Sequence, residues 1–267
     1  MDVARSREKK SRPASSRAAL VLSALVVAGG AGATAWLQFR GPKAHRAANS
    51  PAAAATNAAP SAVTTNAESP AAFLAWLSNR TDAAELLNVG TALLNEGRSG
   101  EAILCYRRAV ELKPEDEEGH FNLGVAYGRA GQLPFAERHY REALKIFADY
   151  PEAHNNLGNV LTRQKRYAEA VEEFKATLRL SPEDASAHNN LGRALAEQGN
   201  AIEALAHFNE AARLDTNYVE AHFNLASTYL SVGRTNDAVA ELNAALRIRP
   251  GFAPAAQLLS RLRNPQR

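Results

Sequence analysis

Five asparagines recur at every thirty-fourth position, and their side chains have the chemistry to bind a peptide backbone. A primary amide offers two donors and an acceptor, which complement the N–H and C=O groups of an extended peptide. Asparagine is also a mediocre helix former, so packing alone does not explain its return. The spacing predicts a row of amides along one surface, with inheritance through repeat duplication as the alternative. The five are Asn88, Asn122, Asn156, Asn190 and Asn224.

Four further polar residues close to this row in sequence widen it into a candidate groove. They are Asn155, Asn189, Asn159 and Arg193. Contacts from amide side chains to a backbone tolerate many partner sequences. The partner that we expect is therefore a protein or an extended peptide.

Four histidines recur with the same period, which raises the question of a metal site. Copies in successive units would lie about 10 Å apart if they occupy neighbouring helix layers, whereas a metal ion needs its ligands within about 2 Å. We therefore expect these histidines to be packing residues with one solvent-exposed edge, and we expect no metal or cofactor. We also expect His139 and His207 to join no cluster. The four are His120, His154, His188 and His222.

No motif of a catalytic site occurs in the sequence. It contains no G-x-x-x-x-G-K-[ST] phosphate loop, no H-E-x-x-H and no C-x-x-C. The single cysteine, Cys105, cannot form an intramolecular disulfide and is expected to be a small core or surface residue. We expect no catalytic residues, and an enzyme is the least supported class of function.

The same period extends to the residues that would pack the helices together. Small residues stand at positions eight and twenty of each unit, and large ones at positions seven, eleven and twenty-four. Alternating small and large residues allow helices to interdigitate at close-packed density. The pattern predicts two helices per unit, in units 83–116, 117–150, 151–184, 185–218 and 219–252.

This pattern resembles the tetratricopeptide repeat over residues 83–252. The resemblance implies an all-α solenoid, a right-handed superhelix of helix-turn-helix units that binds partners in a concave groove. The recurrent asparagines resemble the asparagine ladder of O-linked N-acetylglucosamine transferases, in which the amides hold an extended peptide. Only fifteen residues follow Phe252, so the resemblance implies that binding mode and not the enzyme activity. Repeats that clamp a C-terminal carboxylate place lysine at groove positions such as position five; here that position is never basic, which disfavours such clamping.

Glycine at position fifteen of four units is expected to end the first helix in a left-handed conformation. Lys165 stands there in the third unit, so we expect a longer or frayed helix at that point. A capping helix is expected at 71–82, before the repeats. A second cap helix with a short tail is expected at 253–267.

The N-terminal part of the chain predicts a membrane segment. Residues 1–17 carry six basic residues, and residues 18–39 carry no charge. As a helix, 22 residues span about 33 Å, enough for a bilayer core of about 30 Å. We expect a single transmembrane signal anchor at 18–39, with a signal peptide cut after Ala33 or Ala35 as the alternative. Residues 40–70, rich in Ala, Pro, Ser and Thr, are expected to form a disordered linker.

Basic residues before the uncharged segment place the N-terminus in the cytoplasm and the repeats outside it, in the periplasm of a bacterial cell. A mitochondrial outer-membrane receptor facing the cytosol is the alternative layout. The formal net charge is +3, but residues 83–252 hold 18 Lys and Arg against 24 Asp and Glu. Because the basicity lies in the tails, we expect no nucleic-acid partner.

These features predict a membrane-tethered, non-enzymatic scaffold that binds a peptide or partner protein in its groove. The alternative is an accessory subunit of an envelope assembly or secretion system that acts through oligomerisation. Substitutions in the groove would distinguish these two functions, because oligomerisation would use outer helices and end caps.

Overall fold

The computed structural model describes residues 70–264, and its regular structure within that range is entirely α-helical. Each of the five units consists of a first helix of 13 residues and a second helix of 14, so the predicted all-α repeat is confirmed. The helices are α1 Pro70–Ser78, α2 Ala83–Asn95, α3 Ser99–Leu112, α4 Glu117–Arg129, α5 Leu133–Ile146, α6 Pro151–Arg163, α7 Tyr167–Leu180, α8 Ala185–Glu197, α9 Ala201–Leu214, α10 Val219–Ser231, α11 Thr235–Ile248 and α12 Ala253–Arg263.

The described residues divide into two compact bodies, 70–221 and 222–264. In the first body, each first helix packs against the second helix of its own unit, and that second helix packs against the next first helix. Consecutive first helices also contact each other. The first helices α2, α4, α6 and α8 therefore share one face of this body, the face that carries most of the candidate groove residues.

The packing inside each of the first four units depends on a close approach between a glycine and an aromatic ring. A Cβ atom added to the glycine at position eight would lie 2.6–2.7 Å from a carbon of the ring at position twenty-four. The pairs are Gly90 with Tyr106, Gly124 with Tyr140, Gly158 with Phe174 and Gly192 with Phe208. In the second body, Ala226 stands at position eight and the ringless Leu242 at position twenty-four, both fully buried. Where position eight gains a methyl group, position twenty-four thus loses its aromatic ring.

The end of the first helix in the third unit differs from the sequence-based expectation. Helix α6 ends at Arg163 with the common length of 13 residues, and Lys165 adopts the left-handed conformation with φ of 62°. The Lys165 and Arg166 amides donate to the carbonyls of Thr162 and Leu161, at 3.0 and 2.9 Å. The expected longer or frayed helix is therefore wrong. The turn is held by the packing of both helices, which outweighs a cost of about 1–2 kcal/mol for a left-handed side chain.

Short helices flank the repeats. Helix α1 starts at Pro70 and ends at Ser78, so it begins inside the range predicted for the linker and is shorter than the predicted 71–82. Its Phe73 and Leu77 are buried. In the second body, α12 packs against α11 and buries Ala255, Leu258 and Leu259.

The predicted basic segment, membrane anchor and most of the linker, residues 1–69, lie outside the described residues. Within 70–264, none of the helices has the length and apolar character needed to cross a bilayer.

We expect Gly158→Ala to destabilise the protein by about 1–3 kcal/mol, because the new methyl group overlaps the buried Phe174 ring and forces repacking. Thermal unfolding followed by circular dichroism measures the change. Gly100→Ala is the matched control: Gly100 is in helix α3, and a Cβ there meets nothing within 4 Å. This control should leave stability unchanged or raise it by up to about 1 kcal/mol. Equal melting temperatures for the two variants would contradict the packing described here.

Candidate functional site

The structure places the candidate groove residues on the first helices, but most of them are enclosed. Asn88 is exposed, whereas Asn122 and Asn156 keep only 1% and 0% of their surface accessible. The other buried amides belong to Asn155, Asn159, Asn189 and Asn190. Asn224 is partly buried in the second body. The amides therefore form a buried polar layer in the first body more than an open row.

Some polar side chains of the first helices join successive units. Asn190 donates a hydrogen bond from Nδ2 to Oδ1 of Asn155, at 3.1 Å. Arg129 donates to the Leu94 carbonyl and Arg163 to the Gly128 carbonyl, each at 3.1 Å. Each of these three bonds links one first helix to the preceding one. These groups have a structural role in addition to any binding role.

Two of the asparagines have no such bond. Neither amide atom of Asn122 or Asn156 has a hydrogen-bond partner within the described part of the chain. The Glu118 carboxyl lies near Asn122, and the Tyr140 hydroxyl near Asn156, without closing a well-formed bond. Leaving a buried polar group unpaired costs about 1–3 kcal/mol. These two amides are therefore kept at a cost to stability, which internal packing does not explain.

The carboxyl of Glu118 lies at the solvent-exposed edge of this layer. Partial burial raises its pKa, the neighbouring Asp116 and Glu117 carboxylates raise it further, and the Asn122 side chain lowers it. The Tyr140 hydroxyl, fully enclosed, has its pKa raised well above the usual value by the same desolvation. Hydrogen bonds formed in such surroundings are stronger than in water.

Arg193 brings a charge to this face. Its guanidinium is mostly buried, and desolvation lowers its pKa, against the opposing effects of Tyr218, Glu197 and Tyr167. Among the described residues, no carboxylate forms an ion pair with it. A guanidinium offers five donors in a fixed fork that fits carboxylates and carbonyl groups. Arg193 is thus a cation available to an incoming acceptor.

The recurrent histidines pair within units and not between them. His120 and His139 approach to 3.1 Å between their Nδ1 atoms, and His188 and His207 do the same at 3.1 Å. The expectation that His139 and His207 join no cluster is therefore wrong. Tracking one residue type along the repeat period missed the partner on the second helix of the same unit, at position twenty-three.

The other two units replace the second histidine with a carboxylate. Nδ1 of His154 lies 2.7 Å from Oε2 of Glu173, and His222 is equally close to Glu241. Position twenty-three therefore alternates His, Glu, His, Glu from the second unit to the fifth. This alternation was the sequence signal that could have revealed the pairs.

The remaining reactive groups carry no site. Cys105 is fully buried, and desolvation raises the pKa of its thiol to about 12, so the nucleophilic thiolate is suppressed. Within residues 70–264, no three His, Cys, Asp or Glu side chains gather in a way that could hold a metal.

Comparison with known protein families shows to which family this chain belongs. Models of the tetratricopeptide repeat match residues 90–131, 121–185, 157–219 and 195–262, which together cover more than half of the sequence. The chain belongs to the tetratricopeptide repeat family, as its sequence pattern predicted. A comparison with curated protein sequences found no match.

Solved structures of this family share the fold at low sequence identity. YrrB, described as a TPR protein with an unusual peptide-binding site, is 23% identical, with a TM-score of 0.59 over 70% of this chain and 97% of YrrB. MamA from Desulfovibrio magneticus RS-1 is 20% identical, with a TM-score of 0.60 over 64% of this chain and 96% of its own. TTC0263 from Thermus thermophilus is 24% identical, with a TM-score of 0.54 over 68% of this chain and 98% of its own.

Two isosteric substitutions distinguish an amide that stabilises the fold from an amide that is available to bind a partner. Asn156→Leu removes a buried amide that has no bond, so stability should stay the same or rise. Asn190→Leu leaves the Asn155 oxygen unpaired and should lower the free energy of unfolding by about 1–3 kcal/mol. Urea unfolding of both variants measures the difference. A larger loss for Asn156→Leu than for Asn190→Leu would contradict the hydrogen-bond assignment.

Proposed function

We propose that this chain is a membrane-tethered scaffold that binds a peptide or a partner protein on the face formed by its first helices. The observation that carries the proposal is the pair of buried amides, Asn122 and Asn156, which have no bond inside the described protein and cost stability. YrrB, whose fold is similar, is described as a protein with a peptide-binding site. This description supports a peptide as the ligand.

The chemistry of the face favours an extended peptide with an acidic or carbonyl-rich stretch. Asn88 is open to solvent and offers a first point of contact. The amides of Asn122 and Asn156 complement a backbone N–H and C=O, and they are reached once the side chains over them move aside. Arg193 then donates a charge-assisted bond, which is about twice as strong as a neutral one. Backbone recognition gives affinity, and Arg193 adds a preference for an acceptor.

Photo-crosslinking in the native cell tests which face meets the partner. A crosslinking residue at Asn88 should capture a defined partner. The matched control is the same residue at Glu172, which is exposed on the second helix α7. Equal capture at both positions would contradict the binding face.

Measurements of affinity and stability then distinguish a binding role of the buried amides from a structural role. The double variant Asn122→Leu with Asn156→Leu should weaken binding of the captured partner at least tenfold while its melting temperature is unchanged or higher. Arg193→Gln should weaken binding as well, most for peptides with acidic residues. Titration calorimetry with a synthetic peptide from the partner gives both values. Full binding by the double variant would overturn the proposal.

The tether forms part of the proposal because of the charge pattern at the N-terminus. Basic residues precede the uncharged stretch 18–39, which favours an anchor with the N-terminus in the cytoplasm and the repeats outside. A reporter that is active only outside the cytoplasm, fused after Arg267, should be active. A second reporter that is active only inside should be silent at the same point. The reverse result would overturn the orientation, and a mature N-terminus at Thr34 or Trp36 would replace the anchor with a cleaved signal peptide.

The alternative, an accessory subunit that oligomerises, is favoured by one observation. Ile202 on the second helix α9 is 83% exposed, and Phe135 on α5 is 51% exposed. Apolar side chains on outer helices can contact a second copy or a larger assembly. Crosslinking that favours these helices over Asn88 would move this alternative ahead.

A further inference from the structure

We propose that the histidine pairs His120–His139 and His188–His207 are two equivalent sites for a divalent transition metal, with Zn²⁺ as the reference ion. Each site supplies two imidazole nitrogens, and water completes the coordination. The proposal is independent of the peptide-binding face, because it concerns pairs formed between the two helices of one unit.

The distance between the paired nitrogens fits a shared metal ion. A Zn²⁺ ion binds imidazole nitrogen at about 2.0–2.1 Å. Two such bonds place the nitrogens about 2.9 Å apart at a right angle and about 3.3 Å apart at the tetrahedral angle. Both pairs have Nδ1 atoms 3.1 Å apart, and their ring centroids are both 5.3 Å apart. The same geometry therefore appears twice, in the second unit and in the fourth.

The first histidine of each pair is held in the tautomer that a metal requires. Nε2 of His120 lies 3.2 Å from the Pro114 carbonyl, and Nε2 of His188 lies 2.9 Å from the Pro182 carbonyl. Because a carbonyl can only accept, each Nε2 carries the proton and each Nδ1 has a free lone pair. Histidines that bind metals are oriented by the same kind of outer hydrogen bond.

The pairs are also open to an ion from solvent. His120 is the most enclosed of the four rings, with 9% of its surface accessible. Its partner His139 is only partly buried, and so are His188 and His207. Each site therefore has at least one ring with an accessible edge through which an ion can enter.

The charges around the pairs vary with the histidines. Where position twenty-three is histidine, position twenty-six is a glutamate, Glu142 or Glu210. Where position twenty-three is Glu173 or Glu241, position twenty-six is alanine. The carboxylate thus moves one helical turn away when a second imidazole takes its place. It can then offset the charge of a bound cation; without a metal, Glu142 pairs with Lys145 and Glu210 with Arg213. Arg107 and Arg138 also lie near His139, and Lys175 and Glu203 lie near His207.

The competing explanation is a plain hydrogen bond in which two imidazoles share one proton. A metal would take the place of that proton, which moves to Nε2 of the second imidazole, so both rings stay neutral when the ion binds. Acid protonates the imidazoles and so weakens metal binding. The two explanations predict different results with added metal, which makes them separable.

Titration of the untagged full-length chain with Zn²⁺ and Co²⁺ at pH 7.5 tests the proposal. We expect two ions per chain by calorimetry, a visible absorption band with Co²⁺, and at least tenfold weaker binding at pH 5. His139→Gln should leave one ion, and His139→Gln with His207→Gln should leave none. Glutamine retains a donor for the facing imidazole, so circular dichroism and metal-free melting should change little.

The matched control is Glu173→Gln with Glu241→Gln, which alters the same position in the other two units and should keep both ions. No binding by the original chain would show that the pairs only share protons. Undiminished binding by the double histidine variant would place the metal elsewhere. Either result overturns the proposal.

Discussion

The structure depends on the close approach of a glycine backbone to an aromatic ring inside each of the first four units. No side chain fits between Gly158 and the Phe174 ring, and the same contact recurs in the other units of the first body. It sets the distance between the first and second helix, and through that distance it fixes which side chains meet across the pair. The histidine pairs lie across the same two helices, where positions four and twenty-three face each other.

Polar groups on the first helices perform two tasks that their sequence positions do not distinguish. Asn190 and Arg163 bind the preceding unit and so hold the stack in register. Asn122 and Asn156 stand at positions equivalent to Asn190 and bond nothing in the described chain. A stack that needed only rigidity would replace the unbonded amides with leucine. Their presence is the physical reason for assigning partner binding to this face. The desolvated Arg193 on the next first helix adds a preference for a negatively charged group on the partner.

The units also differ from one another in a regular way. Asp82, Asp116 and Asp184 cap the first helices of the first, second and fourth units by accepting from backbone amides, whereas Tyr150 precedes the third without a side-chain cap. The residue that faces the position-four histidine alternates between histidine and glutamate from the second unit to the fifth. This alternation has a period of two units, whereas the packing follows the period of one unit.

Sequence by itself determined the all-α repeat and the small-to-large pairing, because these follow from a period that local side-chain size imposes on every copy. It also drew attention to Asn156 and Arg193. Only the tertiary structure decided that Asn156 is buried and unbonded while Asn190 is bonded, since that depends on what a neighbouring helix presents. The turn at Lys165 and the partner of His120 were missed for the same reason. A packed helix pair can force a lysine into a glycine conformation, and it brings together residues that are far apart in the chain.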